Sequence, residues 1–277
     1  MKLSIITINL NNAEGLRKTI ESVVYQTSVD YEYIVVDGAS TDGSVEVIKQ
    51  FEDKITYWVS EPDKGIYNAM NKGIHKATGD YCLFLNSGDW LADNLVISDF
   101  CNLRYKEEIV SGNIYLSDNK IIELKKAVCS KDLTYDVLLN SVVYHQSTFI
   151  KRTLFDIYGL YSEKYRIISD WEFFIKTLIV GNCTYTNFDR IIAYYDLNGI
   201  SAQKGELNDL QERERVSVFE TVIPRLNKSY FALVSQEEMN KRINSEYVYL
   251  KNGKFGFIVR FLLWLKLKRK FNKRNCK

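Results

Sequence analysis

Short apolar segments of strand length alternate with amphipathic helical segments in the N-terminal third of the chain, and this alternation limits the folds open to it. Residues 3–10, 31–37 and 81–85 are almost continuously apolar and rich in β-branched or aromatic side chains, which predicts strands buried on both faces. Between the first two, apolar residues recur at helical spacing behind the capping pair Asn11 and Asn12. The first 37 residues therefore predict a β-α-β unit with parallel strands.

The same order of elements repeats further along the chain. Residues 44–51 and 66–77 predict helices, the second ended by Gly79, and residues 55–59 predict a short strand between them. Repetition of this kind is typical of a doubly wound, mainly parallel sheet flanked by helices, whose ligands bind at the carboxyl ends of the strands. We therefore expect an α/β fold with functional residues directly after its strands.

Beyond Asp89 the alternation becomes less regular. Helices are predicted near residues 95–105 and 171–179, strands near 109–116 and 146–150, and mainly helical structure after Gly205, over 209–222, 236–250 and 255–270. We divide the chain at these changes into residues 1–90 and 91–204, as two halves of one domain, and residues 205–277, as a C-terminal helical extension.

The charge of the chain is distributed unevenly. The formal net charge is +2, but residues 255–277 carry eight basic and no acidic side chains, which leaves 29 basic and 35 acidic residues, a net charge of −6, in the remainder. The basic end follows an apolar, amphipathic stretch and predicts an anionic partner. The global charge gives no reason to expect nucleic acid as a partner.

The cysteines and the N-terminus bear on the cellular compartment. Five cysteines are scattered without C-x-x-C spacing, which argues against zinc ribbons and redox motifs and is compatible with a reducing cytosol. The first apolar segment reads as a strand and not as a signal peptide. No segment has the about 18 uncharged apolar residues that a spanning helix needs. We expect a cytoplasmic protein without a transmembrane helix.

An acidic residue stands at the predicted end of the second strand. Asp37 begins a tight polar turn that continues through Asp42 into a helix. A strand-end acid can accept hydrogen bonds from a nucleobase or ribose, although both acids can also simply shape the turn and cap the helix. We favour a binding role for Asp37 and the structural role for Asp42. The chain has neither G-x-G-x-x-G nor a P-loop motif, which excludes Rossmann oxidoreductases and P-loop NTPases.

Two further groups of polar residues carry candidate chemistry. Asn86 and Asp89 follow the third apolar strand, and their oxygens suit Mg²⁺ or Mn²⁺, but an ordinary strand-to-helix turn explains them equally well. Asp170 precedes an apolar helix, where an acid alone is most often a cap. Neither group decides the function by itself.

Together these motifs resemble the family 2 glycosyltransferases of the GT-A fold, and most closely the bacterial capsule and exopolysaccharide enzymes. The resemblance covers roughly residues 1–200 and depends on the order and spacing of several short motifs. They are Ser4-Ile5-Ile6-Thr7, the turn of residues 37–44, Ser60-Glu61-Pro62-Asp63-Lys64-Gly65, Asn71-Lys72-Gly73, Asn86-Ser87-Gly88-Asp89, His145-Gln146 and Ser169-Asp170-Trp171-Glu172.

The resemblance implies a role for each matching residue. It implies that residues 1–90 bind the nucleotide sugar and residues 91–204 bind the acceptor and supply catalysis. Asp170 matches the catalytic base and Asp89 the metal-binding end of the D-x-D motif, here with Asn86 and Gly88 where the family often has acids. The predicted nucleotide-sugar-binding residues are Asp37, Asp63, Lys64, Asn71, Asn86 and His145. For His145, a satisfied polar group remains an equal alternative.

The implied activity is inverting transfer of a sugar from a nucleoside diphosphate, with UDP expected in preference to GDP or dTDP and with Mg²⁺ or Mn²⁺ as cofactor. The expected acceptor is a glycan or a polyprenyl-linked intermediate of surface polysaccharide synthesis. The alternatives are a nucleotidyltransferase acting on sugar phosphates, which should carry a Gly-rich basic loop near its N-terminus, and a non-catalytic sugar-nucleotide-binding module.

The basic tail of the chain predicts a membrane surface as a further partner. Residues 255–270 are too short in their apolar part to span a bilayer, but aromatic and leucine side chains beside a basic cluster suit the surface of an anionic membrane. A helix packed on the catalytic core is the alternative. We expect a peripheral protein on the inner face of the cell membrane.

Overall fold

The predicted alternation of strands and helices is present in the computed structural model, which describes residues 2–118, 121–140, 143–197 and 206–223. The strands are β1 (Leu3–Asn9), β2 (Tyr31–Asp37), β3 (Tyr57–Ser60), β4 (Tyr81–Phe84), β5 (Trp90–Leu91), β6 (Ile109–Ser117), β7 (Ile122–Lys125), β8 (Thr148–Lys151) and β9 (Tyr185–Asp196). The helices are α1 (Ala13–Val24), α2 (Ser44–Gln50), α3 (Ile66–Lys76), α4 (Val96–Leu103), α5 (Tyr135–Asn140), α6 (Thr153–Tyr158), α7 (Ser169–Phe174) and α8 (Glu206–Thr221).

All nine strands belong to one sheet, in the order β3-β2-β1-β4-β8-β6-β9-β5, with β7 paired to β6. The four strands β3, β2, β1 and β4 are parallel, as the N-terminal pattern predicts. Beyond them β8 is antiparallel to both β4 and β6, whereas β6 and β9 are parallel to each other. The sheet is therefore a parallel half joined to a mixed half.

The parallel half is buried on both faces because helices cover each side. Leu16, Ile20 and Val23 of α1 are fully buried against one face, together with apolar residues of β1, β2 and β4. On the other face α3 lies so close to β1 that a Cβ at Gly73 would be 2.4 Å from the Ile6 side chain. Burial on both faces is the reason that these strands appear as continuous apolar runs in the sequence.

The mixed half differs more from the sequence expectations. Strands β5, β7 and β9 were not predicted, since β9 lacks a continuous apolar run and most of its residues are only half-buried. The strand expected over residues 146–150 starts as a 3₁₀ turn at His145–Ser147 and continues as β8. The helix expected over residues 171–179 is α7, which continues as a π-helix over Ile175–Val180.

The predicted C-terminal extension is described only at its start. Helix α8 corresponds to the expected helix over residues 209–222, and the first compact unit of the chain ends at Val218, beyond the boundary expected at residue 205. The helices predicted over 236–250 and 255–270 and the basic tail lie outside the described residues. Among the described residues, no helix is long and apolar enough to cross a membrane.

A buried glutamate joins three segments at the amino end of the parallel half. Glu32 on β2 is 4% exposed and accepts five hydrogen bonds. Burial by itself raises the pKa of Glu32, but hydrogen bonds from Lys2, Ser4 and Thr78 outweigh it and lower the pKa to about 2. The donors are Lys2 Nζ (2.8 Å), Ser4 Oγ (2.6 Å), Thr78 Oγ1 (2.6 Å) and the backbone N–H groups of Thr78 and Gly79.

We predict that Glu32→Gln destabilises the protein by about 2 to 3 kcal/mol at pH 7. Because the folded pKa is lower than the unfolded one, this stability is fully present above about pH 4.5 and is lost as the pH falls to about 2. Urea denaturation between pH 7 and pH 3 measures it. The exposed Glu46→Gln is the control and should unfold like the wild type, and an unchanged acid transition in Glu32→Gln would contradict the prediction.

Candidate active site

A cavity of about 770 Å³ lies at the carboxyl ends of β1 and β4. Its wall is formed by residues 8–12 after β1, residues 63–69 at the start of α3, and residues 86, 87 and 89 after β4. Residues 163–167 and the last residues of β9 complete the wall of the cavity. Convergence at the carboxyl edge of a parallel sheet is the arrangement that the sequence predicts.

The turn after β4 is held by polar contacts with α1. Gly88 has a φ of 105°, a left-handed conformation that glycine adopts without strain. Its N–H donates to Thr19 Oγ1 at 3.0 Å, and the Thr19 hydroxyl donates to the Asp89 carbonyl at 2.6 Å. Asn12 Nδ2 donates to the Ser87 carbonyl at 3.1 Å. These bonds position the Asn86 and Asp89 side chains at the cavity wall.

Asp89 is a buried acid whose carboxylate is only half satisfied. It is 3% exposed, and Oδ1 accepts from the Asp196 backbone N–H at 3.0 Å. Asp89 Oδ2 and Asn86 Oδ1 are both buried without a hydrogen-bond partner in the described part of the chain. Burial raises the pKa of Asp89 to about 7.

These two oxygens fit a divalent cation, since carboxylate and amide oxygens are the ligands that Mg²⁺ and Mn²⁺ accept. Within residues 2–118, 121–140, 143–197 and 206–223, no group of three or more His, Cys, Asp and Glu side chains could hold a metal ion. This part of the chain therefore offers few ligands, and most of the coordination shell would have to come from a bound ligand and water.

Asp170 and His145 are not among the residues that line the cavity, and Asp170 accepts hydrogen bonds from two side chains behind or in the wall. Tyr67, which lines the cavity, donates its hydroxyl to Asp170 Oδ1 at 2.9 Å, and His145 Nδ1 lies 2.9 Å from Asp170 Oδ2. Burial works to raise the pKa of Asp170, but the bonds from His145 and Tyr67 hold the pKa below its usual value. The side chain stays 18% exposed and ionised at neutral pH. The carboxylate is therefore more than a helix cap.

The same contacts orient Asn86. Because a carboxylate only accepts hydrogen bonds, His145 carries a proton on Nδ1, and its Nε2 contacts the Asn86 amide. Asn86 Nδ2 lies 3.5 Å from His145 Nε2. The amide oxygen of Asn86 therefore faces away from His145. A chain of contacts links Asp170 to the oxygens proposed for the cation.

Asp37 is not on the cavity wall. It is fully buried, and Asn9 Nδ2 (2.7 Å), Ser40 Oγ (2.6 Å), the Ser40 backbone N–H (2.9 Å) and Ser60 Oγ (2.6 Å) all donate to it. Burial opposes ionisation, but the bonds from Ser40, Ser60 and Asn9 lower the pKa of Asp37 below its usual value. The structure thus shows Asp37 organising the turn, the alternative that the sequence analysis had favoured only for Asp42. Asp42 has that role too, since it accepts from Ala13 N and Ser44 N.

Of the remaining predicted residues, two line the cavity and one is buried behind the cavity wall. Asp63 and Lys64 line the cavity, and Asp63 Oδ1 accepts from the Gly65 N–H at 2.8 Å. Asn71 is buried behind the wall, where its amide bonds the backbone N–H (3.1 Å) and carbonyl (2.9 Å) of Tyr161. Asn71 therefore positions the segment that leads to residues 163–167, and the structure does not place it at the cavity surface.

Three residues of the site carry no recognisable sequence motif. Tyr67 and Asp196 line the cavity, and Glu214 of α8 accepts from the backbone N–H groups of residues 166 (2.7 Å) and 167 (3.1 Å). Glu214 is 8% exposed in an otherwise polar helix, so only its burial distinguishes it. Asp196 ends β9, a strand that the apolar pattern did not predict, so no signal marked this acid.

Comparison with known proteins shows which family this chain belongs to. The chain is 32% identical over 179 residues to the PGL/p-HBAD biosynthesis glycosyltransferase of Mycobacterium tuberculosis, which covers 62% of this chain and 68% of the relative. The structure of S. aureus TarS 1-349 in complex with UDP aligns with 71% of this chain and 60% of that chain, with a TM-score of 0.59 and 18% identity.

A second structural match covers more of the chain. Mannosyltransferase PcManGT from Pyrobaculum calidifontis, in complex with GDP-Man and Mn²⁺, covers 96% of this chain and 80% of its own, with a TM-score of 0.63 and 15% identity. Both structures establish the GT-A fold, as the sequence resemblance implies. The model of the family described as "Glycosyl transferase family 2" matches residues 4–168. This chain therefore belongs to the family 2 glycosyltransferases.

Proposed function

We propose that this glycosyltransferase moves a sugar from a nucleoside diphosphate to an acceptor hydroxyl and inverts the anomeric configuration. The observation that carries the proposal is a chain of contacts that ends at the cavity wall, in which Asp170 bonds His145 and His145 contacts Asn86 near Asp89. This chain supports the proposal because one side chain, His145, separates the proposed base Asp170 from the proposed cation ligand Asn86. Family membership removes the nucleotidyltransferase alternative and leaves the non-catalytic binding module as the rival.

The cavity suits a nucleoside-diphosphate sugar as donor. Its volume of about 770 Å³ lies within the roughly 300 to 1,000 Å³ of small-molecule sites. Lys64 on the wall supplies a positive charge for a diphosphate, and the Asp63 carboxylate can accept from ribose hydroxyls. We propose UDP in preference to GDP or dTDP, although one structural neighbour contains UDP and another contains GDP-Man.

Asp170 is the proposed general base. In the transfer step it takes the proton of the acceptor hydroxyl while that oxygen attacks the anomeric carbon from the face opposite the diphosphate. The bond from that carbon to the diphosphate oxygen breaks, and its electron pair leaves with the nucleoside diphosphate. Tyr67 and His145 hold both carboxylate oxygens in place, so the base needs little reorganisation before reaction. No covalent enzyme intermediate is required.

Asn86 and Asp89 are the proposed protein ligands of Mg²⁺ or Mn²⁺. Their two buried oxygens lack partners in the described part of the chain, and both residues lie on the cavity wall. A cation bound there would neutralise the charge that develops on the departing diphosphate. His145, whose Nε2 lies 3.5 Å from Asn86 Nδ2, has a proposed positioning role for Asn86 in the substrate site.

The acceptor is proposed to be a glycan or a polyprenyl-linked intermediate of surface polysaccharide synthesis. Lys164 and Arg166 line the cavity and bring positive charge to the segment before Asp170. A lipid-linked acceptor carries phosphate and lies at a membrane, which also suits the basic tail. We therefore propose that the enzyme works at the inner face of the cell membrane.

Asp170→Asn should abolish transfer while the affinity for UDP changes by less than a few-fold, because the amide keeps the size of the carboxylate but cannot take up the proton. Hydrolysis of UDP-sugars, with water as the acceptor, measures the activity. Glu172→Gln is a matched control, since Glu172 is a buried acid of the same helix that pairs with Lys176 at 3.0 Å. Near-normal turnover of Asp170→Asn would contradict the base assignment. A wild type that binds donors without any turnover would favour the binding module.

Asp89→Asn should have opposite effects on stability and on metal binding. The raised pKa of about 7 means that ionised Asp89 destabilises the metal-free fold, increasingly from about pH 4 up to pH 7. In EDTA at pH 8 the variant should therefore melt several degrees higher than the wild type. With Mn²⁺ and a panel of UDP-, GDP- and dTDP-sugars, only the wild type should gain thermal stability. The exposed Asp53→Asn is the control, and a nucleotide-sugar shift that survives in Asp89→Asn would remove Asp89 from the cation site.

The basic tail should bind anionic membranes, with each charge contributing on the order of 1 kcal/mol near such a surface. Full-length protein should co-sediment with phosphatidylglycerol liposomes at low salt and dissociate as salt is added. Truncation after Asn252 should remove liposome binding and leave UDP binding intact. Failure of the full-length protein to bind at low salt would overturn the membrane proposal without affecting the donor site.

A further inference from the structure

Tyr67 lies in the first turn of α3, lines the cavity and is 5% exposed. Its hydroxyl oxygen lies 2.5 Å from the backbone carbonyl oxygen of Ile167 and 2.9 Å from Asp170 Oδ1. A phenol carries one hydrogen, and both neighbours accept hydrogen bonds while Asp170 is ionised. Only one of the two contacts can therefore hold a hydrogen at a time.

Both acceptors are held in place by other groups. Glu214 on α8 is buried and accepts from the backbone N–H groups of residues 166–167 at 2.7 and 3.1 Å, which fixes the segment that carries the carbonyl. Asp170 Oδ2 is bonded to His145 Nδ1 at 2.9 Å. Neither the carbonyl nor the carboxylate can move away from Tyr67 without losing these bonds.

The number of available hydrogens differs between the two protonation states of Asp170. In the ionised state the hydroxyl hydrogen of Tyr67 lies toward Asp170, since a bond to a charged acceptor is the stronger one. The Ile167 carbonyl then faces the hydroxyl oxygen without a hydrogen between them. A protonated Asp170 has a hydrogen of its own and can donate it to the Tyr67 oxygen, so the Tyr67 hydrogen can turn to the carbonyl. Both contacts hold a hydrogen only in this second state.

Protonated Asp170 is the form that the transfer step produces. The base has then taken the proton of the acceptor hydroxyl, and the oxygen that lost it has become part of the new bond to the sugar. A hydrogen bond that is completed only in this form acts after donor binding, so it contributes to turnover and not to the affinity for the nucleotide. The position of the Tyr67 hydroxyl thus suits a base that changes its charge.

We propose that Tyr67 is a positioning residue of the transfer reaction, whose hydroxyl hydrogen turns from Asp170 to the Ile167 carbonyl when Asp170 takes up the acceptor proton. The inference rests on the proposed function, because it assigns a partner to the proposed base. No hydrogen is gained or lost in this exchange, since the acceptor proton stays on Asp170 and the Tyr67 hydrogen stays on its own oxygen. Tyr67 keeps the carboxyl group in one orientation before and after proton transfer.

The test is Tyr67→Phe, assayed by hydrolysis of a UDP-sugar in Mn²⁺ across a range of pH. Its kcat should fall about tenfold or more, because the carboxyl group loses a hydrogen-bond partner in both states. The acidic limb of the kcat profile should move about one pH unit higher, since the ionised carboxylate loses a donor and its pKa rises. The affinity for UDP, measured by calorimetry, should change by less than about threefold.

Tyr161→Phe is the matched control. The Tyr161 ring centroid lies 5.7 Å from that of Tyr67, and its hydroxyl is buried without a hydrogen-bond partner in the described part of the chain. Loss of this hydroxyl should leave both kcat and the acidic limb as in the wild type. Burial raises the pKa of both tyrosines well above the usual value, so neither ionises in the range of the assay. His145, a further titratable neighbour of Asp170, is present in both variants.

Glu214→Gln tests the carbonyl half of the exchange. A glutamine oxygen can accept from only one of the two backbone N–H groups, and its NH₂ group meets the other, which loosens residues 166–167. The kcat of this variant should fall about threefold or more while the acidic limb stays in place, because Tyr67 still donates to ionised Asp170. The exposed Glu212→Gln on the same helix is its control and should behave as the wild type.

Wild-type kcat in Tyr67→Phe, or a loss of kcat without a shift of the acidic limb, would overturn the role of Tyr67, whereas an inactive Asp170→Asn would leave the base assignment standing. A loss in Tyr161→Phe that equals the loss in Tyr67→Phe would show a general effect of repacking and would also overturn it. Wild-type kcat in Glu214→Gln would remove the Ile167 carbonyl from the exchange and overturn it. Absence of nucleotide binding and of UDP-sugar turnover in the wild type would instead refute the proposed function.

Discussion

The parallel pairing of β1 with β2 and β4 is the constraint on which the site depends. In that register Asn9 lies beside Asp37, and the chain leaving β4 emerges at the same edge, one strand away. Parallel strands of similar length must release their polar ends together. The pairing is in turn stabilised by burial of β1 on both faces under α1 and α3. The cavity thus lies at an edge that is formed by the pairing and burial of the apolar strands.

The part of the chain around the parallel strands contains two kinds of buried acid, which differ in their hydrogen bonds. Glu32 and Asp37 are saturated by donors, their pKa values are lowered, and they stabilise the folded chain. Asp89 is equally buried, but its Oδ2 has no hydrogen-bond partner among the described residues, and its pKa is raised to about 7. A buried unmet acceptor costs about 1 to 3 kcal/mol. Asp89, Asn86 and Asn9 share this feature, and all three line the cavity.

Sequence patterns predicted the parallel half well and the mixed half poorly, for a physical reason. Strands buried on both faces must be apolar throughout, so β1, β2 and β4 appear as continuous runs. Strand β9 is half-buried along most of its length and carries Asp189 and Arg190, so its strand character depends on pairing with β6. Asp196 at its end could not be placed at the site without that pairing.

The sequence by itself determined the family, the order of elements at the amino end and the presence of Asp63, Lys64, Asn86 and Asp89 after predicted strands or before predicted helices. These features depend on local periodicity and residue type, which a linear pattern contains. Tertiary structure decided which polar atoms are left without partners. Asp37 and Asn9 illustrate the difference, because only their pairing across β1 and β2 shows that the carboxylate is saturated and that the amide oxygen is not. Hydrogen-bond satisfaction is a property of neighbours in space, and residue order alone does not contain it.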